Sequence, residues 1–143
     1  MPTSFTIAGT DAALSIAVTG YENVEAENDW DANWLTCTVT VRVGAFTAHY
    51  AASLLTHDFA RLRDDVATVR ENNGGTVTFT TPEEWLAFEL ALRGNGEMAV
   101  SGRAQVVGPP TASLAFDFDC DRTSLGRLAD ELEDICIEFP VLE

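Results

Sequence analysis

Residues 34–43 read WLTCTVTVRV, and no other stretch limits the possible folds so strongly. Leu35, Cys37, Val39, Val41 and Val43 fall on one side of an extended chain, with Thr36, Thr38, Thr40 and Arg42 on the other, because successive side chains of a strand point to opposite faces. A helix would scatter the five apolar residues around its circumference. The stretch therefore predicts a strand with one buried face and one threonine-rich face in water, which needs sheet neighbours and a cover over its apolar side. Gly44 turns the chain, and FTAHYAASL returns as the antiparallel partner.

The same two-residue period recurs on either side. SFTIA (4–8) and ALSIAVTG (13–20) alternate around the turn residues Gly9, Thr10 and Asp11. Later come GTVTFTT and EWLAFELAL, the second with Leu86, Phe88, Leu90 and Leu92 on one face. Gly94-Asn95-Gly96 predicts a hairpin turn into EMAVSGRAQVV. Gly108-Pro109-Pro110 leads to ASLAFDFDC, with Leu114, Phe116, Phe118 and Cys120 inward and Asp117 and Asp119 outward. Two segments change to steps of three and four, the stripe of an amphipathic helix: Leu55, Phe59, Leu62, Val66 and Val69, then Leu125, Leu128, Leu132, Ile135 and Phe139. Thr56 is the expected N-cap of the first, and Asn72-Asn73-Gly74-Gly75 its stop. Asp121 or Thr123 can cap the second, which Pro140 ends. Neither a linker nor an internal repeat interrupts the pattern. The expected fold is α+β: one antiparallel β-rich domain over residues 1–143, with about seven to eight strands and two amphipathic helices at roughly 55–71 and 123–138. A chain of 143 residues can bury about 68–70% of its extended surface, enough for one core.

Charge narrows the function. Acidic residues number 23 against 8 basic ones, a formal net charge of -15. Phosphates would be repelled, so nucleic acid and anionic membrane surfaces are expected to be excluded as partners; a cationic partner is favoured through steered encounter. Solubility or habitat is the plainer explanation of such acidity, and the positions of the acids bear on the choice. They gather in YENVEAENDWDANWL (21–35), where Glu22, Glu25, Glu27, Asp29 and Asp31 surround Trp30 and Trp34 without an arginine or lysine. They gather again in Asp117, Asp119 and Asp121, and in Asp130, Glu131, Glu133 and Asp134 of the last helix, where Arg127 alone is placed to pair with Asp130 or Glu131. Uncompensated clusters cost stability.

Residue chemistry points away from catalysis. Asp29-x-Asp31-x-Asn33 opens like a calcium loop, but the positions that need a glycine and a glutamate hold Trp34 and Thr40. His49 and His57 lie in no metal-binding spacing. No nucleophile elbow or phosphate loop occurs. No cofactor is expected; an enzyme or ligand-binding domain using a carboxylate pair or His57 is the alternative. Cys37, Cys120 and Cys136 fall at apolar positions and read as core residues. The start MPTSFTIAGT lacks a secretory pattern and no stretch suits a spanning helix, so a reduced cytoplasmic location is expected. Oligomeric state stays open.

The block Trp30-Asp31-Ala32-Asn33-Trp34-Leu35, entering a strand after a tyrosine and an acidic loop, resembles the WapI-type immunity proteins of bacterial contact-dependent and polymorphic toxin systems. Leu54-Leu55-Thr56 before the first helix, EEWLAFELAL (83–92) and the closing Phe139-Pro140 extend the likeness over nearly the whole chain. The resemblance implies a non-enzymatic protein that binds a co-encoded toxin domain, often a nuclease with a basic surface. For such a partner the acid clusters nominate Glu25, Glu27, Asp29, Trp30, Asp31, Asp117, Asp119, Asp130, Glu131 and Asp134 as contacts. At least one of Trp30 and Trp34 is expected to pack inward, as tryptophans at strand entries do.

Overall fold

A computed structural model describes residues 3–23 and 25–142. The strand β1 (Thr3–Gly9), β2 (Ala12–Tyr21), β3 (Trp34–Val43) and β4 (Phe46–Leu55) form one antiparallel sheet in the order β1-β2-β3-β4. A second meander follows: β5 (Gly75–Phe79), β6 (Leu86–Leu92), β7 (Glu97–Val106) and β8 (Ala112–Asp121), again in sequence order. Helix α2 (Thr56–Asn72) joins the sheets and α3 (Ser124–Glu138) follows β8. The α+β expectation holds, with eight strands. A third helix, the one-turn α1 (Asp29–Ala32), stands where the sequence suggested only an acidic loop.

Alternation builds the first sheet as its pattern requires. Phe5, Ile7, Leu14, Ile16, Val18, Leu35, Cys37, Val39 and Val41 are buried on one face. Two-residue turns at Thr10-Asp11 and Gly44-Ala45 close the hairpins, with Asp11 and Gly44 at φ 52° and 57°, the left-handed region such turns use. A register shift between Val18 and Gly20 changes the parity of β2. Tyr21 then pairs with Leu35 and points inward, meeting Phe139 edge-to-face at 5.6 Å between ring centres.

The second sheet buries Val77, Phe79, Leu86, Phe88, Leu90, Met98, Val100, Phe116 and Phe118, and both sheets and both long helices feed one continuous core. β8 passes across the turn end of the first sheet. Its Asp119 carbonyl lies so close to Gly9 that a β-carbon there would sit 2.3 Å from the oxygen, so only glycine fits. Its Ala112–Leu114 stretch shares a groove of about 240 Å³ with Phe46–Tyr50 of β4. The Tyr50 hydroxyl ties the sheets further, donating to the Trp85 carbonyl (2.5 Å) and accepting from the Gln105 N–H (3.3 Å).

Helix α3 runs back along β1, one of the two edge strands of the first sheet. Glu131 accepts the Thr6 backbone N–H (3.1 Å) and Glu138 accepts the Thr3 hydroxyl, which satisfies part of an edge that would otherwise present unpaired groups. The capping of α2 differs from expectation. Leu55 occupies the N-cap and Asp58, three residues on, accepts its N–H at 3.0 Å; Thr56 is already helical and its hydroxyl is engaged elsewhere. Asn73 ends the helix in the left-handed conformation, φ 56°. On α3, Thr123 is the cap residue but makes no side-chain cap; Asp121 instead accepts the Thr123 N–H at 3.0 Å. The three cysteines are buried, free thiols, and burial pushes the Cys37 thiol up to about 12 and Cys120 to about 11. Among the described residues no helix is long and apolar enough to cross a membrane.

Candidate partner-binding surface

The WDANWL block builds a small platform at the end of the first sheet away from its turns. Asn28 caps α1: its side-chain oxygen accepts the Asp31 N–H (2.8 Å) and its amide donates to the Asp31 carboxylate (3.0 Å). Asn28-x-x-Asp31 is the sequence signal for this turn, an N-cap asparagine followed three residues on by an acid whose carboxylate accepts from the Asn28 side-chain amide. The turn lifts Trp30 outward, where it remains 53% exposed. Trp34, the first residue of β3, is half-buried. Neither tryptophan is fully packed away, contrary to the expectation that one would be: Trp34 alternates with buried Leu35 and so falls on the opposite face of β3, and Trp30 stands against it rather than in the core.

Three rings meet here. Trp30 stands edge-to-face with Trp34 (6.0 Å between centres, 87°) and stacks near-parallel with His57 of α2 (6.2 Å, 26°). His57 is exposed on the first turn of its helix and lines neither the β4–β8 groove nor the cleft of about 560 Å³ on the second sheet. His49, on β4, is exposed and hydrogen-bonds Thr40 (2.8 Å). The alternative use of His57 as a catalytic base finds no carboxylate hydrogen-bonded to its ring among the described residues.

Asn33 holds the platform and is fully buried. Its amide nitrogen donates to the Asp29 carbonyl (2.5 Å) and the Leu142 carbonyl (2.9 Å). Its side-chain oxygen accepts the Leu142 N–H (2.7 Å) and the Thr56 hydroxyl (2.6 Å), and its backbone carbonyl accepts the Thr56 N–H (2.9 Å). One side chain thus pins α1, the start of α2 and the C-terminal tail, with its hydrogen-bonding capacity engaged. Nearby, the Tyr21 hydroxyl donates to the Pro140 carbonyl at 2.9 Å. The sequence shows Asn33 only as a position in the Asp29-x-Asp31-x-Asn33 pattern, because two of its partners, Thr56 and Leu142, lie 23 and 109 residues away in the chain.

The three acid clusters do not form one patch. Glu25, Glu27 and Asp29 are exposed and Asp31 is half-buried at the α1 end; among the described residues no arginine pairs with any of them. Asp117 and Asp119 are exposed on the outer face of β8 at the opposite end of the first sheet, a ten-residue strand or about 30 Å away. Asp119 is within 3.6 Å of Arg93, an exposed pair of little energetic consequence. α3 bridges the two ends: Asp130 and Asp134 face solvent, whereas Glu131 turns inward to Thr6 and Arg127 (3.6 Å). Glu131 therefore supports the edge of the sheet and is a poor candidate for a contact. Set against these acids, the strands of the first sheet contain no carboxylate at all, and beyond Trp34 at the α1 end its outer face is mostly threonine, serine and alanine around Arg42 and His49. The molecule has an acidic side and a neutral one.

The model of the Immunity protein WapI-like family matches residues 5–140 of this chain. No curated protein matches it.

Proposed function

Because the chain belongs to the WapI-like immunity protein family, we propose that it binds a co-encoded toxin domain one to one and neutralises it, with no catalysis of its own. The toxin is a nuclease of a polymorphic toxin system, met in the cytoplasm of the cell that makes both proteins. A nuclease binds phosphates with a basic track, and an acidic protein can occupy that track in place of the substrate. One observation carries the reading: among the described residues, a run of carboxylates that no arginine pairs, in the same segment as an exposed tryptophan at the α1 end of the molecule. Glu25, Glu27, Asp29, Trp30 and Asp31 form the contact; Asp130 and Asp134 on α3, with Asp117 and Asp119 beyond, extend the field that steers the encounter. Size-exclusion chromatography with light scattering tests the reading, using the toxin domain encoded beside this chain. A one-to-one complex at low ionic strength is expected; two separate peaks at every salt concentration would refute it.

A further inference from the structure

We propose that the Trp30 platform receives an arginine side chain of the toxin, its guanidinium laid against the indole and paired with the carboxylates beside it; this rests on the toxin-binding reading above. Trp30 is the starting point. Of the tryptophans and phenylalanines, only Trp30 (53%) and Phe46 (68%) are exposed among the described residues, and Trp30 alone stands on a capped turn beside unpaired carboxylates of its own segment. A large aromatic kept in water by buried scaffolding, here Asn33, is a surface prepared for contact. His57 lies near-parallel to one side of the ring and Trp34 meets it edge-on, so the indole is oriented before any partner arrives.

Charge selects the occupant. Glu25, Glu27 and Asp29 are exposed on the same chain segment and, among the described residues, pair with none of the eight arginines, the sequence's only basic side chains besides two histidines. An anion or a neutral apolar side chain would leave those charges uncompensated. A cation offsets them and also gains from the electron-rich ring face. Arginine fits better than lysine, because a planar guanidinium can stack on the indole while its edge donates two parallel hydrogen bonds to one carboxylate. Beyond Trp34, the neutral outer face of the first sheet offers neither feature and serves as the internal control.

Calorimetry with the full chain and the neighbouring toxin domain tests the proposal, with Trp30→Ala, Trp30→Phe, the pair Glu27→Gln/Asp29→Asn, and Thr38→Ala on the neutral face as control. Trp30→Ala is expected to weaken binding about thirtyfold, the scale of an aromatic anchor, and Trp30→Phe by less. The carboxylate pair is expected to flatten the dependence of affinity on salt, a change that loss of apolar contact alone would not produce. Thr38→Ala is expected to change nothing. Thermal melts equal to wild type keep the comparison to binding. If wild type binds while Trp30→Ala binds within twofold of it, the arginine site is wrong and the toxin-binding reading survives. If the carboxylate pair leaves the salt dependence unchanged, the occupant is not a cation. If wild type does not bind, both readings fall.

Discussion

Asn33 joins α1, the start of α2 and the C-terminal tail through one buried side chain. Asparagine in a fully buried position is costly unless its amide is satisfied, and here both ends are, with the tail backbone at Leu142 held by two of the bonds. Asn33→Ala removes the amide and strands the Leu142 N–H, the Thr56 hydroxyl and the Asp29 carbonyl. A loss of about 2–4 kcal/mol is expected from the penalty for buried groups left without partners, measurable by urea denaturation. The same variant should also bind a partner more weakly than its stability alone predicts, since α1 and Trp30 lose their anchor. Asp58 makes a different prediction. Burial raises its carboxyl above the ordinary range, against the Leu55 N–H and Arg61, which act to lower it. The folded protein therefore holds this proton more tightly than the unfolded chain, so ionising Asp58 costs stability as pH rises from near 4 through the raised value. Asp58→Asn keeps an oxygen for the Leu55 N–H and carries no charge. Its melting temperature relative to wild type is expected to rise between pH 3 and pH 7; a difference flat with pH would contradict the assignment.

At the scale of elements, the local periods were legible and the long-range pairings were not. Strand β3 could be read from its alternation, and the stripes of α2 and α3 from their spacing, because each period is written within a few residues. The caps were harder. Thr56 had the composition of an N-cap, but Asn33 claims its hydroxyl, and Asp58 does the capping from within the helix. Helix α1 was missed although Asn28-x-x-Asp31 signals it, since a single turn has no periodicity to detect. Glu131 and Asp134 looked alike on the sequence; only the packing of α3 along β1 separates the inward group from the exposed one. That separation yields a prediction. Reversing Asp130 and Asp134 to lysine is expected to slow association with the toxin domain several-fold at low salt and to leave dissociation within about twofold, as for charges outside a buried contact. Stopped-flow traces showing the change in dissociation instead would place α3 inside the interface.

Across the whole molecule, charge is distributed as unevenly as it is unbalanced. A net charge of -15 was plain in the composition, yet the absence of any carboxylate from the strands of the first sheet emerges only when those strands are assembled side by side. Short turns join β1 to β2 and β3 to β4, whereas residues 22–33 with α1 join β2 to β3; the passage of β8 against Gly9 and the Tyr50 bridge to Trp85 and Gln105 are announced by no local pattern. That assembly places two acid clusters about 30 Å apart along the first sheet, with α3 between them. A basic partner approaching from that side meets an attractive field along its length, and the neutral sheet gives it no second docking mode. The proposed neutralisation then depends on occupancy alone, with no turnover by this chain. The most direct measurement is a titration, with this protein, of the nuclease activity proposed for the co-encoded toxin domain, at a toxin concentration well above the dissociation constant. The account predicts a linear fall to zero at one molar equivalent. Activity that persists at a several-fold excess would contradict it.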